Sequence, residues 1–259
     1  MILTSETKTK LEILKLNTLA SCIEQYSEDA NIDLRSLQDW LNALLDVQIS
    51  HNQSMTFSRM RKIAKLRWPD ATFATSERLC SVLQSTIVSH LQSCKWIEAT
   101  THVVLSGKSS SGKTHLACSI GNQAILMGFR VQFFRYRDLL IILRAADNEG
   151  NLIALIKKLL RVDLIIIDDW TIDKLPRQEQ AVLFELVEKR EKRGSFVITT
   201  QFDPAAIHKA IGGDAIADAI LSRLIPLAQR IELSHNIDFR EIDMQVTCTH
   251  PKKKGDSKC

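Results

Sequence analysis

Eight consecutive residues carry the clearest chemical signal in this 259-residue chain. Gly107, Lys108, Ser109, Ser110, Ser111, Gly112, Lys113 and Thr114 match the phosphate-binding pattern G-x-x-x-x-G-K-[ST] at every fixed position. The residue types explain the pattern. Gly107 and Gly112 let the backbone bend so that several N–H groups face one anion, Lys113 reaches toward β- and γ-phosphates, and Thr114 offers a hydroxyl to Mg²⁺. The expected ligand is a nucleoside triphosphate with Mg²⁺. A Ser/Gly-rich turn is the alternative, and the flanks argue against it. His102-Val103-Val104-Leu105 reads as a buried parallel strand before the loop. Leu116, Ala117, Ile120, Ala124 and Met127 follow at helical spacing, and Gly128 is placed to cap that helix.

A second group of chemical residues lies further on. Leu164-Ile165-Ile166-Ile167 is the apolar run of a strand buried on both faces, and it ends on Asp168 and Asp169. The segment resembles a Walker B element. Asp168 is then expected to hold Mg²⁺ directly or through water, and Asp169 to act as general base toward the water that attacks the γ-phosphate. A paired Asp at this point could instead cap a helix; the phosphate loop upstream favours the first reading.

The elements that must position these groups follow from the same patterns. Gly128 to Phe134 reads as a second strand, Ser195 to Thr200 as a fourth, and Gln229 to Leu233 as a last edge strand. Between them a helix from about Gln178 to Arg193 collects Lys189, Arg190, Lys192 and Arg193 near its C-terminal end and stops at Gly194. Strands alternating with helices predict a parallel α/β sheet flanked by helices.

Residues 1–68 show no strand pattern. Leu11, Leu14, Leu19 and Ile23 mark one helical stretch, and Leu37, Trp40, Leu41, Leu44 and Leu45 mark another, so a small all-α unit is expected there. Trp68-Pro69-Asp70 reads as a turn into a linker and leading helix over 69–95, followed by an ATPase domain over 96–245 and a basic tail over 246–259 expected to be disordered. Six cysteines show no metal-ligand spacing, and no apolar run nears the roughly 20 residues of a membrane helix. The expected setting is cytoplasmic, with no membrane partner. Arg59, Arg61, Lys62, Lys65 and Arg67 crowd one segment with no acidic residue among them, a density that can neutralise several DNA phosphates or serve as a solvated helix face.

With these elements placed, the chain resembles the IstB-type ATP-binding proteins, helpers of insertion-sequence transposases, within the AAA+ ATPases and close to the DnaC-like helicase loaders. The likeness rests on Trp96-Ile97-Glu98, Gly112-Lys113-Thr114-His115-Leu116-Ala117, Ile166-Ile167-Asp168-Asp169, Arg190-Glu191-Lys192-Arg193-Gly194-Ser195 and Ala217 to Leu224. It implies a P-loop AAA+ sheet of the ASCE type and extends the nucleotide-binding segment to His115. It also implies that Gln201, after Thr200, senses the γ-phosphate, and that Arg223 is an arginine finger acting on a neighbouring subunit's nucleotide. Arg240 is the candidate for a second sensor. From the residues alone, the alternative for Arg223 is an ion pair with Asp218 on its own helix turn. The chain departs from the family pattern at Asp169, where Glu is usual. That carboxylate is shorter by about one methylene, roughly 1.5 Å, so slow hydrolysis is expected.

The function implied is an ATP-dependent DNA-binding helper of transposition. It would assemble as a homo-oligomer on duplex DNA, hydrolyse ATP at sites shared between subunits, and present the DNA to a cognate transposase. A helicase loader and an ATP-gated DNA-binding module with little turnover are the alternatives. A net charge of +4 agrees with a nucleic-acid partner without requiring one.

Overall fold

The computed structural model of the chain describes residues 5–28, 37–76, 83–171 and 173–233. Two compact units divide it, Met1–Met60 and Arg61–Cys259. The division falls inside a helix, ahead of the boundary expected after Trp68. Arg240 and the basic tail lie outside the described residues.

The described part of the first unit is helical. The stripe from Leu11 to Ile23 is shared between α1 (Ser5–Ile13) and α2 (Asn17–Glu28), because Lys15 adopts a left-handed φ of 57° and breaks the run. α3 (Leu37–Ala64) is long, and the unit's part of it buries Leu44 while Leu41 and Leu45 stay exposed. Gln48 on α3 accepts the Leu19 N–H at 3.2 Å, tying α3 to α2 through a polar contact where apolar area is scarce.

The second unit opens with α4 (Ser85–Ser93) and α5 (Lys95–Glu98), then alternates strands and helices. These are β1 (His102–Gly107), α6 (Lys113–Leu126), β2 (Val131–Arg135), α7 (Tyr136–Asn148), α8 (Leu152–Leu159), β3 (Leu164–Trp170), α9 (Arg177–Arg190), β4 (Ser195–Thr200), α10 (Pro204–Ile211), α11 (Ala215–Leu224) and β5 (Ala228–Leu233). All strand pairs are parallel, in the order β2-β3-β4-β1-β5. Alternate residues serve opposite faces. Val104, Ile165, Ile167, Phe196 and Ile198 pack with α7 to α11, whereas Ile166 faces α6, where a Cβ on Gly121 would lie 2.8 Å from its Cδ1. This is a parallel α/β sheet covered by helices on both faces, and the described part of the first unit is all helix.

Because every strand runs the same way, β1, β3 and β4 all end at one edge, with β4 lying between the other two. After β1 the chain crosses to the far side of the sheet to form β2, and after β4 it crosses β1 to form β5. Such a switch opens a crevice at the C-terminal ends of the strands.

The helix end before β4 differs from expectation. α9 ends at Arg190, and Lys192, not glycine, takes the left-handed turn (φ 59°). Arg190 is no solvated dipole partner but a buried hub. It donates to the carbonyls of Leu159 (2.7 Å), Val162 (2.9 Å) and Ser195 (3.1 Å) and lies over the Phe196 ring. Gly194 is there for clearance, since a Cβ at that position would sit 2.4 Å from the Arg190 guanidinium. Burial lowers the pKa of that guanidinium to about 10. Gly128 does cap its helix as expected, with φ 89° and its N–H on the Ile125 carbonyl.

Candidate functional site at the C-terminal edge of the sheet

The loop from Gly107 to Gly112 turns the chain from the end of β1 into α6. Gly107 pairs with Leu233 in the β1–β5 ladder, and a Cβ there would fall 2.5 Å from the Leu233 carbonyl oxygen, so no larger residue fits. Ser110 (φ 62°) and Gly112 (φ 83°) both take left-handed conformations, which wrap the backbone tightly. α6 then starts at Lys113 without any side-chain cap. Its first amide N–H groups therefore have no intrahelical partner, and an anion can satisfy them.

Lys113 is buried. Its ammonium donates to the carbonyls of Gly107 (2.8 Å) and Lys108 (2.6 Å) and lies 3.4 Å from Ser111 Oγ. Burial lowers its pKa, while the charges of Asp169 and Asp168 push the other way, so both carboxylates stand electrostatically opposite this ammonium.

Asp168 is the centre of the arrangement. It is 1% exposed, and its Oδ1 accepts from Thr114 Oγ1 at 2.8 Å and from Thr199 Oγ1 at 2.7 Å. Its Oδ2 is buried without a hydrogen-bond partner, 4.0 Å from the guanidinium of Arg67. A buried carboxylate oxygen left without a donor is costly for stability alone. Together with the Thr114 hydroxyl it suits a hard cation that takes oxygen ligands and keeps phosphate oxygens and water in its shell. Among the described residues no group of three or more His, Cys, Asp and Glu forms a metal cage. A cation that completes its shell with phosphate oxygens and water needs none.

Asp169 lies within β3 and caps no helix. Its φ is 59°, and the β3–β4 register shifts between Ile167 and Trp170, so this bulge turns the Asp169 side chain out to solvent at the strand's end. Two contacts fix the bulge. The Asp169 N–H donates to Thr199 Oγ1 at 2.8 Å, and Trp170 is buried in a stack on Tyr136 with ring centroids 4.6 Å apart.

Thr199 is the residue that sequence reasoning missed. It bridges Asp168 and the Asp169 amide, whereas Thr200 is turned to the Trp170 carbonyl (3.1 Å) and Gln201 is exposed just past β4. A strand end presents alternate residues to alternate faces, so the position beside Asp168 depends on register, and a motif does not show register.

The other expected site residues are dispersed. Ser111 is buried within the loop, and Lys108 and Ser109 are exposed on its outside. His115 turns from the loop toward Ser76, with Nδ1 and Oγ 2.9 Å apart. That contact belongs to a polar seam along α6. Ser119 Oγ donates to the Thr72 carbonyl at 3.0 Å, and the Asn122 amide donates to the carbonyls of Pro69 (2.9 Å) and Ala71 (2.8 Å). Of the basic segment, Arg61 pairs with Asp70 at 2.9 Å and Arg67 reaches Asp168, while Arg59, Lys62 and Lys65 are exposed.

Arg223 stands at the opposite edge of the sheet. It sits near the end of α11, just ahead of β5, whose first residue Ala228 is the register partner of His102, the first residue of β1, a strand length or roughly 20 Å from the loop. Its side chain pairs with Glu191 (3.1 Å) and Glu188 (3.7 Å) and lies over the Phe184 ring. The alternative pairing with Asp218 is not made, because Asp218 pairs with His208 at 2.9 Å.

These features can be set beside known proteins. The chain is 32% identical over 236 residues to an insertion sequence ATP-binding protein of Sinorhizobium fredii, covering 90% of this chain and 95% of the relative. It is 30% identical over 202 residues to the ATP-binding protein of insertion sequence IS1162 from Pseudomonas fluorescens, covering 77% and 87% of the two. Among solved structures, a DNA replication initiation factor matches with a TM-score of 0.50 at 18% identity, over 69% of this chain and 55% of that one, a likeness of fold alone. The family model described as IstB-like ATP binding protein matches residues 9–241, which takes in the loop, both carboxylates and Thr199 as well as most of the helical N-terminal part, and the chain accordingly belongs to that family.

Proposed function

We propose that this chain is an ATP-dependent DNA-binding helper of transposition, which assembles on duplex DNA with ATP and delivers that DNA to a transposase while hydrolysing ATP. The observation that carries the ATP-dependent part is the convergence of Thr114 and Thr199 on Oδ1 of Asp168 beside the phosphate loop, with Oδ2 left for a cation. Family membership supports the insertion-sequence context, since the relatives named above are insertion sequence ATP-binding proteins.

In this reading Lys113 leaves the loop carbonyls for the β- and γ-phosphates, and the loop amides with the start of α6 hold the phosphate oxygens. Thr114 and Asp168 hold Mg²⁺, which supplies charge stabilisation to the phosphoryl group being transferred. Asp169 accepts the proton of the attacking water as the bond from the γ-phosphorus to the bridging oxygen breaks, giving ADP and phosphate. Gln201 orients that water, and Arg223 of a neighbouring protomer faces the γ-phosphate.

A second reading keeps ATP as an assembly ligand with little turnover. It is favoured by the short Asp169 side chain, which the bulge turns out to solvent. Phosphate release measured with and without duplex DNA separates the two. We expect DNA-stimulated release that falls about 100-fold or more in Asp169→Asn while ATP affinity is kept. Absence of release from a protein that binds ATP and DNA would leave only the second reading.

A further inference from the structure

Beside the edge strand β2 lies an open cavity of about 470 Å³. Its charged lining is basic, with Lys65, Arg67, Arg135 and Lys158 set against one carboxylate, Asp138, around an otherwise largely apolar wall that includes Phe133. Among the described residues Lys65, Arg135 and Lys158 form no ion pair, so their charges are not consumed internally. Three of the cations come from different elements: Arg135 ends β2, Lys158 is on α8, and Lys65 follows α3. A solvated helix face does not bring such residues together.

Arg67 links this cavity to the candidate site. It lines the cavity and is also 4.0 Å from Asp168 Oδ2, an oxygen with no hydrogen-bond donor. The Arg67 side chain is 46% exposed, so the contact is loose and easily exchanged. Arg135 is the register partner of Asp168, which places the mouth of the cavity at the level of the carboxylate.

We propose that this cavity binds the phosphodiester backbone of DNA, and that Arg67 couples it to the nucleotide site by exchanging between Asp168 and a DNA phosphate. The proposal rests on the ATP-site reading given above and adds a DNA-contact surface to it. A phosphate in the cavity draws Arg67 away and leaves Asp168 to the cation. Nucleotide with its cation at Asp168, in turn, releases Arg67 to the DNA. The coupling is positive and must be reciprocal.

The test uses the full chain and a short fluorescein-labelled duplex, titrated over a range of salt concentrations. Each phosphate contact contributes about 0.9 to the slope of log affinity against log salt, so the double variant Arg135→Gln/Lys158→Gln should lose about 1.8 from it. Lys189→Gln/Lys209→Gln removes the same charge elsewhere and should leave the slope in place. An equal slope in both double variants would overturn the cavity as a DNA site while leaving the ATPase reading intact. No duplex binding by the unmodified chain at low salt would overturn the DNA role itself. The link through Arg67 is read separately, with a fluorescent ATP analogue and Mg²⁺. Saturating duplex should tighten analogue binding about tenfold in the unmodified chain. It should do so weakly or not at all in Arg67→Gln, with partial recovery in Arg67→Lys. Thermal melting of each variant reports its fold. Full coupling retained by folded Arg67→Gln would refute the exchange.

Discussion

One hydroxyl, that of Thr199, holds two parts of the site together: it donates to Asp168 and accepts from the Asp169 amide. Thr199→Val keeps the shape and removes both bonds, leaving a buried carboxylate short of a donor at about 1–3 kcal/mol. Turnover or ATP affinity in the presence of Mg²⁺ should therefore fall about 10- to 100-fold, and Thr199→Ser should restore most of it. Steady-state phosphate release with both variants checks this. Indifference to Thr199→Val would mean that Gln201 alone serves the role expected of the strand end. His102 carries a separate prediction. Its Nδ1 accepts the Phe196 N–H at 3.2 Å, a bond that protonation would break, and burial, with the nearby Arg190 charge, lowers its pKa from 6.5 to about 4. Above pH 6.5 both folded and unfolded chains leave it neutral, and stability is complete. As pH falls, the unfolded chain takes a proton that the folded chain refuses until about 4, so stability is lost across that window by about 3 kcal/mol. Urea unfolding from pH 7 to 4 should show this loss, and His102→Asn should show a smaller one.

At the scale of elements, the joint between α9 and β4 is built around Arg190. Its guanidinium satisfies carbonyls from the end of α8, from the turn before β3 and from β4, in space left by Gly194. Arg190→Ala should cost at least about 3 kcal/mol by stranding those carbonyls. Gly194→Ala should also destabilise, because its Cβ would meet the guanidinium at 2.4 Å. The two losses should not add. In the Arg190→Ala background the clash with the guanidinium is gone and only the 3.1 Å approach to the Asp163 carbonyl remains, so a double-mutant cycle from urea melts should give a coupling of about 1 kcal/mol or more. Full additivity would show that Gly194 has another role. This joint also marks how far the elements were legible in the sequence. The strands were readable because burial on both faces leaves uninterrupted apolar runs such as Leu164 to Ile167, and the loop was readable because its glycines and Lys113 have fixed spacing. The burial of Arg190 is not legible in the sequence, because nothing local distinguishes a buried Arg from a solvated one; carbonyls distant in sequence decide it. The bulge at Asp169 and the seam of Ser119 and Asn122 on residues 69–72 escaped for the same reason.

At the scale of the whole molecule, the loop and Arg223 lie at opposite edges of one sheet, so a single protomer does not bring them together. Glu188 and Glu191 hold Arg223 at 25% side-chain exposure, a pairing loose enough to exchange for a phosphate. In the proposed assembly the loop of one protomer and Arg223 of the next make one hydrolytic site on DNA. Mixing two inactive variants, Lys113→Ala and Arg223→Ala, in the presence of ATP, Mg²⁺ and duplex DNA tests it most directly. Each alone should lose about 1000-fold or more of the phosphate release. In the mixture, junctions that pair an intact loop with an intact Arg223 should restore about a quarter of the unmodified rate, as random assembly of two-part sites implies. No recovery from variants shown to co-assemble, or full activity of Arg223→Ala by itself, would contradict the account.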